Sequence, residues 1–126
     1  MRVEKTVEEK YTILKLLEEK LDSRVSPALK NEMVLTNSKG VNSIIINLEE
    51  VKYADSSGLS ALLTGSRVCK NSGGTFVVCC VNDFIGNLVK ISRLDSVFTV
   101  LPTQEEAIEA VFMELLENEI TQSSEE

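Results

Sequence analysis

Two apolar runs set the frame for this chain. Ile44-Ile45-Ile46 and Phe76-Val77-Val78-Cys79-Cys80-Val81 are hydrophobic at consecutive positions. A strand with one wet face alternates, whereas a strand covered on both faces does not. Both runs are therefore read as central strands of a parallel sheet. Parallel neighbours need a long crossover, and the segment between them supplies one. Leu59, Leu62, Leu63 and Ser66 recur at helical spacing and form one face of a helix. Asn71-Ser72-Gly73-Gly74 stops it, with Arg67 and Lys70 in its last turn, where cations complement the helix dipole.

The flanking segments repeat the pattern. Ser26 is read as an N-cap and Pro27 as the first helical residue of a helix that runs to about Asn37 and buries Leu29, Met33 and Val34. Leu48 and Val51 carry the Ile44 strand on towards Tyr53. Phe84, Ile85, Leu88 and Val89 form a further helical face, capped by Asn82 or Asp83. Val97-Phe98-Thr99-Val100 is a short last strand. Thr103-Gln104-Glu105-Glu106 matches a capping box, and the helix behind it buries Ala107, Ile108, Val111, Leu115 and Phe112. From Ser26 the order is helix, strand, helix, strand, helix, strand, helix, which implies right-handed crossovers. Residues 2–21 fit two descriptions. Val3, Lys5 and Val7 alternate with polar residues, and Tyr11–Leu14 suggests a second strand, turning near Glu8-Glu9-Lys10. Ile13, Leu14, Leu17 and Leu21 also fit a helical face.

Composition removes several classes of function. The 126 residues suit one domain, expected over residues 1–118, with a mobile acidic tail over 119–126. The net charge is −7, with a pI near 4.7. Nucleic acid and anionic membranes are unsuitable partners for such a surface. No stretch is apolar enough to span a bilayer, and Met1-Arg2-Val3-Glu4-Lys5 opens no signal core, so the cytoplasm is the expected compartment. The absence of histidine removes Ser-His-Asp and Cys-His catalysis. Cys69, Cys79 and Cys80 are read as reduced core residues, and neighbours on a strand point to opposite faces and do not pair.

The remaining chemistry sits in Asp55-Ser56-Ser57-Gly58-Leu59. It lies where a strand hands over to a helix, beyond the carboxyl end of a parallel strand, where ligand and partner sites of such sheets collect. Ser56 and Ser57 have two readings. One hydroxyl caps the helix, or one is a phosphorylation switch whose added charge of about −1.5 to −2 excludes a partner fitted to a neutral surface. The crowding of Asp55, Ser56 and Ser57 into one turn exceeds what a cap needs. Gly58 admits a close-approaching backbone, as a kinase requires. Asp22 and Asp55 also read as paired carboxylates for acid–base chemistry, although nothing else in the sequence supplies a pocket or a second cluster.

Tyr53-Ala54-Asp55-Ser56-Ser57-Gly58-Leu59-Ser60-Ala61-Leu62-Leu63 resembles the signature of the STAS domain of bacterial anti-sigma factor antagonists. Leu21-Asp22, Ile44–Leu48, Arg67 through Gly73-Gly74-Thr75, and Leu94–Phe98 resemble further family segments. The resemblance implies a single α/β STAS-like domain: a mostly parallel mixed sheet of about five strands, about four helices and an N-terminal strand pair. It resolves residues 2–21 in favour of strands. It also implies phosphorylation of Ser57 by an anti-sigma factor serine kinase, reset by a serine phosphatase. The partner-binding surface then comprises Asp22, Asp55, Ser56, Gly58 and Ser60. ATP belongs to the kinase, so the chain itself needs no cofactor and is no enzyme. Glu19, Asn47 and Ser60 depart from residues common in the family (Gly, Asp and Gly), and the first two are expected near the interface. A phosphorylation-independent scaffold and a small nucleotide-binding protein are the alternatives, the second lacking a GxxxxGK[ST] loop.

Overall fold

The computed structural model describes the backbone of residues 1–125 and the side chains of residues 1–120. Strands β1 (Val3–Val7) and β2 (Thr12–Leu16) form the N-terminal antiparallel pair, with Val3 opposite Leu16 and Val7 opposite Thr12. The turn between them is closed by Glu8 N–H donating to the Tyr11 carbonyl at 2.9 Å. Strand β3 (Lys20–Leu21) leads into α1 (Ser26–Ser38), followed by β4 (Ile44–Asn47) and β5 (Tyr53–Ala54). Helix α2 (Ser56–Asn71), β6 (Phe76–Cys79), α3 (Asp83–Ile91), a 3-10 turn (Leu94–Ser96), β7 (Thr99–Leu101) and α4 (Gln104–Glu125) complete the chain.

The main sheet has the order β1-β2-β4-β6-β7. All its pairings except β1–β2 are parallel. The single α/β domain, the mixed five-stranded sheet and the four helices all follow the sequence expectation. As the consecutive apolar positions require, β4 and β6 are buried throughout. Ile44, Ile46 and Val78 face a core shared with α1, α2 and α3. Ile45, Val77 and Cys79 face the opposite way, onto Ala107 and Val111 of α4. Burying side chains of this size stabilises by about 1.5–3 kcal/mol each.

Several local expectations are corrected. The α1 cap residue is Val25, one position before Ser26, and Ser26 is a buried first-turn residue. In α1 the core takes Thr36 and leaves Val34 exposed. Leu48 and Val51 belong to a turn, with Val51 N–H donating to Leu48 O, and Tyr53–Ala54 is a separate strand. β6 stops at Cys79 because Cys80 takes a left-handed backbone (φ 63°), which brings both cysteine side chains to the α4 side. The last strand is Thr99–Leu101, Val97 having closed the 3-10 turn. Phe84 and Phe112 are exposed, although both belong to the expected core faces. Asn82 does cap α3, accepting from Ile85 N–H at 2.9 Å, and Thr103 accepts from Glu106 N–H at 3.1 Å. Helix α4 continues to Glu125, beyond the expected end near Asn118. The side chains of the expected mobile tail from Thr121 lie outside the described residues. Among the described residues no helix is long and apolar enough to cross a membrane.

Candidate functional site

The site is built by two strand-to-helix handovers lying side by side. β3 and β5 form a two-stranded parallel ribbon, with Lys20 opposite Tyr53 and Leu21 opposite Ala54. Asp22 and Asp55 are therefore the next residue on each strand, level with one another at the carboxyl ends. Each then organises the start of a helix. Parallel strands followed by packed helices put two N-termini, with their unpaired N–H groups and partial positive charge, next to each other.

Asp55 is the cap of α2. Its Oδ1 accepts from Ser57 N–H at 3.0 Å, Gly58 N–H at 3.1 Å and the Ser57 hydroxyl at 2.6 Å. The hydroxyl bond first, and the Gly58 amide second, hold the Asp55 carboxyl below its usual 3.8. Asp22 uses its Oδ1 to accept from Arg24 N–H at 3.0 Å. Its carbonyl takes Ser26 N–H at 2.9 Å and the Ser26 hydroxyl at 2.7 Å. Arg24 reaches Asp22 Oδ2 at 3.5 Å, a pair whose exposed guanidinium adds little to stability.

Ser26 links the two helix starts. Its Oγ lies 3.5 Å from Ser57 Oγ. A hydroxyl carries one proton, and the shorter bond assigns that of Ser26 to Asp22 O and that of Ser57 to Asp55. Ser57 Oγ thus keeps its lone pairs, while the Asp55 carboxylate holds its proton and fixes its direction. The depressed pKa makes Asp55 a weak base, so its stronger role is to position the hydroxyl.

Of the predicted residues, Asp22, Asp55 and Ser57 come together and are half-buried, while Ser56 and Ser60 are exposed beside them. Ser60 Oγ accepts from Lys30 Nζ at 3.3 Å, tying α2 to α1. Gly58 is different. It is buried, and a Cβ there would overlap the carbonyl oxygen of Leu21. The backbone that Gly58 admits is the chain's own β3, not that of an incoming protein. Asn47 is corrected too. It is buried on the α4 side of the sheet, where its amide donates to Gln104 Oε1 and accepts from Glu49 N–H, each at 2.9 Å. Glu19 is exposed and pairs with Lys52 at 3.4 Å. Sequence reasoning missed Ser26 as a site residue, because its partner lies 31 positions away and only the α1–α2 packing joins them.

An open cleft beside Asp22, lined by Glu19, Lys20, Arg24 and Val25, does not include Ser57. A cleft of about 760 Å3 lies between α3 and β7, lined by Asn82, Asp83, Lys90, Asp95 and Leu101, and it includes none of the predicted residues. Among the described residues no group of acidic or cysteine side chains is arranged to hold a metal ion.

This arrangement matches a known family along most of its length. The family model described as STAS domain matches residues 2–107. The chain belongs to the STAS domain family. It is similar to the anti-sigma-B factor antagonist of Staphylococcus aureus (strain NCTC 8325 / PS 47), with 28% identity over 100 residues, covering 79% of this chain and 92% of the relative. Among solved structures it resembles an anti-sigma-factor antagonist (STAS) domain protein from Planctomyces limnophilus. That likeness has a TM-score of 0.78 and 20% identity, covering 86% of this STAS domain chain and 97% of the other. The Bacillus cell fate determinant SpoIIAA in its phosphorylated form superposes with a TM-score of 0.68 at 21% identity, covering 87% and 99%. At these identities the structural likenesses establish the fold alone.

Proposed function

We propose that this STAS domain is an anti-sigma factor antagonist, a regulatory binding protein without catalytic activity of its own. In this reading it acts in the cytoplasm and binds an anti-sigma factor serine kinase, which phosphorylates Ser57. A serine phosphatase restores the binding form. The observation that carries the reading is the 2.6 Å bond from the Ser57 hydroxyl to Asp55 at the paired helix starts. It leaves a half-exposed, pre-oriented hydroxyl on an open surface, suited to a kinase that brings its own ATP. The name carried by the Staphylococcus aureus relative supports the same assignment.

The switch works by charge. A phosphate at Ser57 adds about −1.5 to −2 charges. Two helix N-termini can accommodate it, so the fold survives. A partner surface fitted to a neutral hydroxyl has no such compensation, and desolvating the phosphate there is costly. A 100-fold loss of affinity requires only about 2.7 kcal/mol. Asp22, Asp55, Ser56 and Ser60 shape the surface around the switch, and Gly58 acts from beneath by seating α2 on β3. The test is incubation with ATP and a serine kinase encoded beside this chain, with the phosphate located by mass spectrometry. Phosphate at Ser57, absent in Ser57→Ala, is the expected result. Full modification of Ser57→Ala overturns the assignment.

One observation favours a phosphorylation-independent scaffold as a second reading: the same bond gives the Ser57 hydroxyl a structural role, tied to the Asp55 carboxylate that caps α2. In that case the partner is bound equally well whether or not Ser57 carries phosphate.

A further inference from the structure

Helix α4 carries two apolar faces, and the sheet accounts for only one. Ala107 and Val111 are buried against Ile13, Ile45, Val77 and Cys79, with Ile108 and Leu115 packed alongside. Phe112, Leu116 and Ile120 follow one another at single-turn spacing on a different face, with Met113 beside them. Their exposures are 50%, 50% and 61%, and that of Met113 is 57%. Such a stripe is costly to leave in water and marks an interaction surface. It lies beyond residue 107, where the family match ends.

The surroundings of the stripe describe what fits it. Three helices cover one face of the sheet, whereas α4 alone packs on the other, across β4, β6 and β7. Beside it β1 has no helix above it, and α4 reaches β2 only at Ile13. There Thr6 pairs with Ile13 and Glu4 with Lys15, and these cross-strand pairs share the α4 side. Phe112 leans towards this gap, its ring edge-on to Tyr11 at 5.8 Å. Room for one further helix therefore exists alongside α4. The charge is one-sided. Glu105, Glu106, Glu109, Glu114, Glu117 and Glu119 line the helix, and no lysine or arginine follows Arg93. A second copy of α4 would set one such row of carboxylates against another, and an anionic bilayer would repel it.

We infer that the outer face of α4 docks a basic amphipathic helix of another protein. Its apolar side chains lie on Phe112, Leu116 and Ile120, and its lysines or arginines meet the flanking glutamates. This surface is on the opposite side of the sheet from α2 and Ser57, so the docked helix and the Ser57 site can be occupied together.

The probe is a fluorescent synthetic helix of leucine and lysine, about 18 residues long, with its leucines on one face. Fluorescence anisotropy on the full chain should give a micromolar Kd that weakens with added salt. The same peptide with its sequence scrambled should bind at least about tenfold more weakly. Leu116→Gln combined with Ile120→Gln should weaken binding by about tenfold or more, with an unchanged urea midpoint. Ser57→Asp should leave it unaltered, so this surface and the Ser57 switch fail or succeed separately. Equal binding of the scrambled peptide overturns the inference, as do an unaffected double variant and no binding at about 100 µM. A dimer in sedimentation that the double variant dissociates assigns the face to a second copy instead. Binding to zwitterionic vesicles that the double variant abolishes assigns it to lipid.

Discussion

The Ser57 hydroxyl donates to Asp55 Oδ1 over 2.6 Å, and the same oxygen accepts the amides of Ser57 and Gly58. One carboxylate oxygen therefore caps α2 and orients the hydroxyl at once. The carboxyl titrates below 3.8 because these donors favour its charged form. A lowered folded pKa contributes stability above the unfolded value, and that contribution is lost as pH falls through the folded value. Asp55→Asn should lower the melting temperature by a few degrees at about pH 7. The gap between variant and wild type should narrow as pH falls below the unfolded value and through the lower folded one, because the wild-type carboxyl then becomes neutral as well. Urea midpoints for both proteins across this range check it, and a constant gap would assign the effect to shape instead of charge.

Gly58 carries the contact between the two halves of the site. A Cβ there would overlap the Leu21 carbonyl oxygen, which is fixed in the β3–β5 ribbon and has no room to retreat. Gly58→Ala should destabilise by about 1–3 kcal/mol through overpacking. Chemical denaturation measures it, and an unchanged slope with denaturant would show that the surface exposed on unfolding is the same in both proteins. Ser57 should also become a poorer phosphate acceptor in this variant, because α2 lifts away from Asp22.

Those two residues mark what the sequence made legible. A cap within Asp55–Ser57 was readable because capping is local, although the acceptor is the Asp55 carboxylate, two and three residues ahead of the amides that it serves, and not a serine hydroxyl. The direction of the Gly58 close approach was not readable, since the partner backbone comes from β3. Long patterns carried the fold. The consecutive isoleucines of β4 and the apolar run of β6 placed the central strands. β3 and β5, two residues each, are too short for any period, so Tyr53–Ala54 was absorbed into the preceding strand. Val34 and Thr36 show a similar limit. They are two residues apart on one helix, and hydrophobicity favoured Val34 for the core, but the position of α2 put Thr36 inside. Cys80 escaped because a left-handed residue at a strand end leaves no compositional trace.

The cysteines give a direct test of the two cores. Burial pushes the Cys69 thiol from 9.0 up to about 12, and burial also raises Cys79, whereas Cys80 is partly accessible. Iodoacetamide on the native protein should label Cys80 first, with Cys69 and Cys79 reacting only in denaturant. A raised folded pKa stabilises while the unfolded thiol is also protonated, and that stability is lost as pH rises towards the folded value. Stability should therefore decline above about pH 9. Cys69→Ala, if it folds, should show a shallower decline. Rapid native labelling of Cys69 would contradict the packing of α2 on β4 and β6.

The neighbouring serines separate a cap from a switch. Ser56 is exposed, so Ser56→Ala should change stability by less than about 0.5 kcal/mol and leave partner binding intact. Ser57→Ala removes one bond to Asp55 but leaves the two backbone amides in the cap, and it should fold normally and bind the partner constitutively. Ser57→Asp places a charge beside Asp22 and Asp55, which oppose it, and at two helix N-termini, which favour it by about 0.3–1 kcal/mol each. These effects largely cancel within the domain, so its melting temperature should move little. No cancellation operates across a partner interface, and affinity there should fall by about tenfold to 100-fold, measured by titration calorimetry with the purified kinase. Because aspartate carries less charge than phosphate, the phosphorylated protein should lose more affinity than Ser57→Asp. Equal affinity for the wild-type, Ser57→Asp and phosphorylated forms would leave Ser57 as a cap alone and favour the scaffold reading.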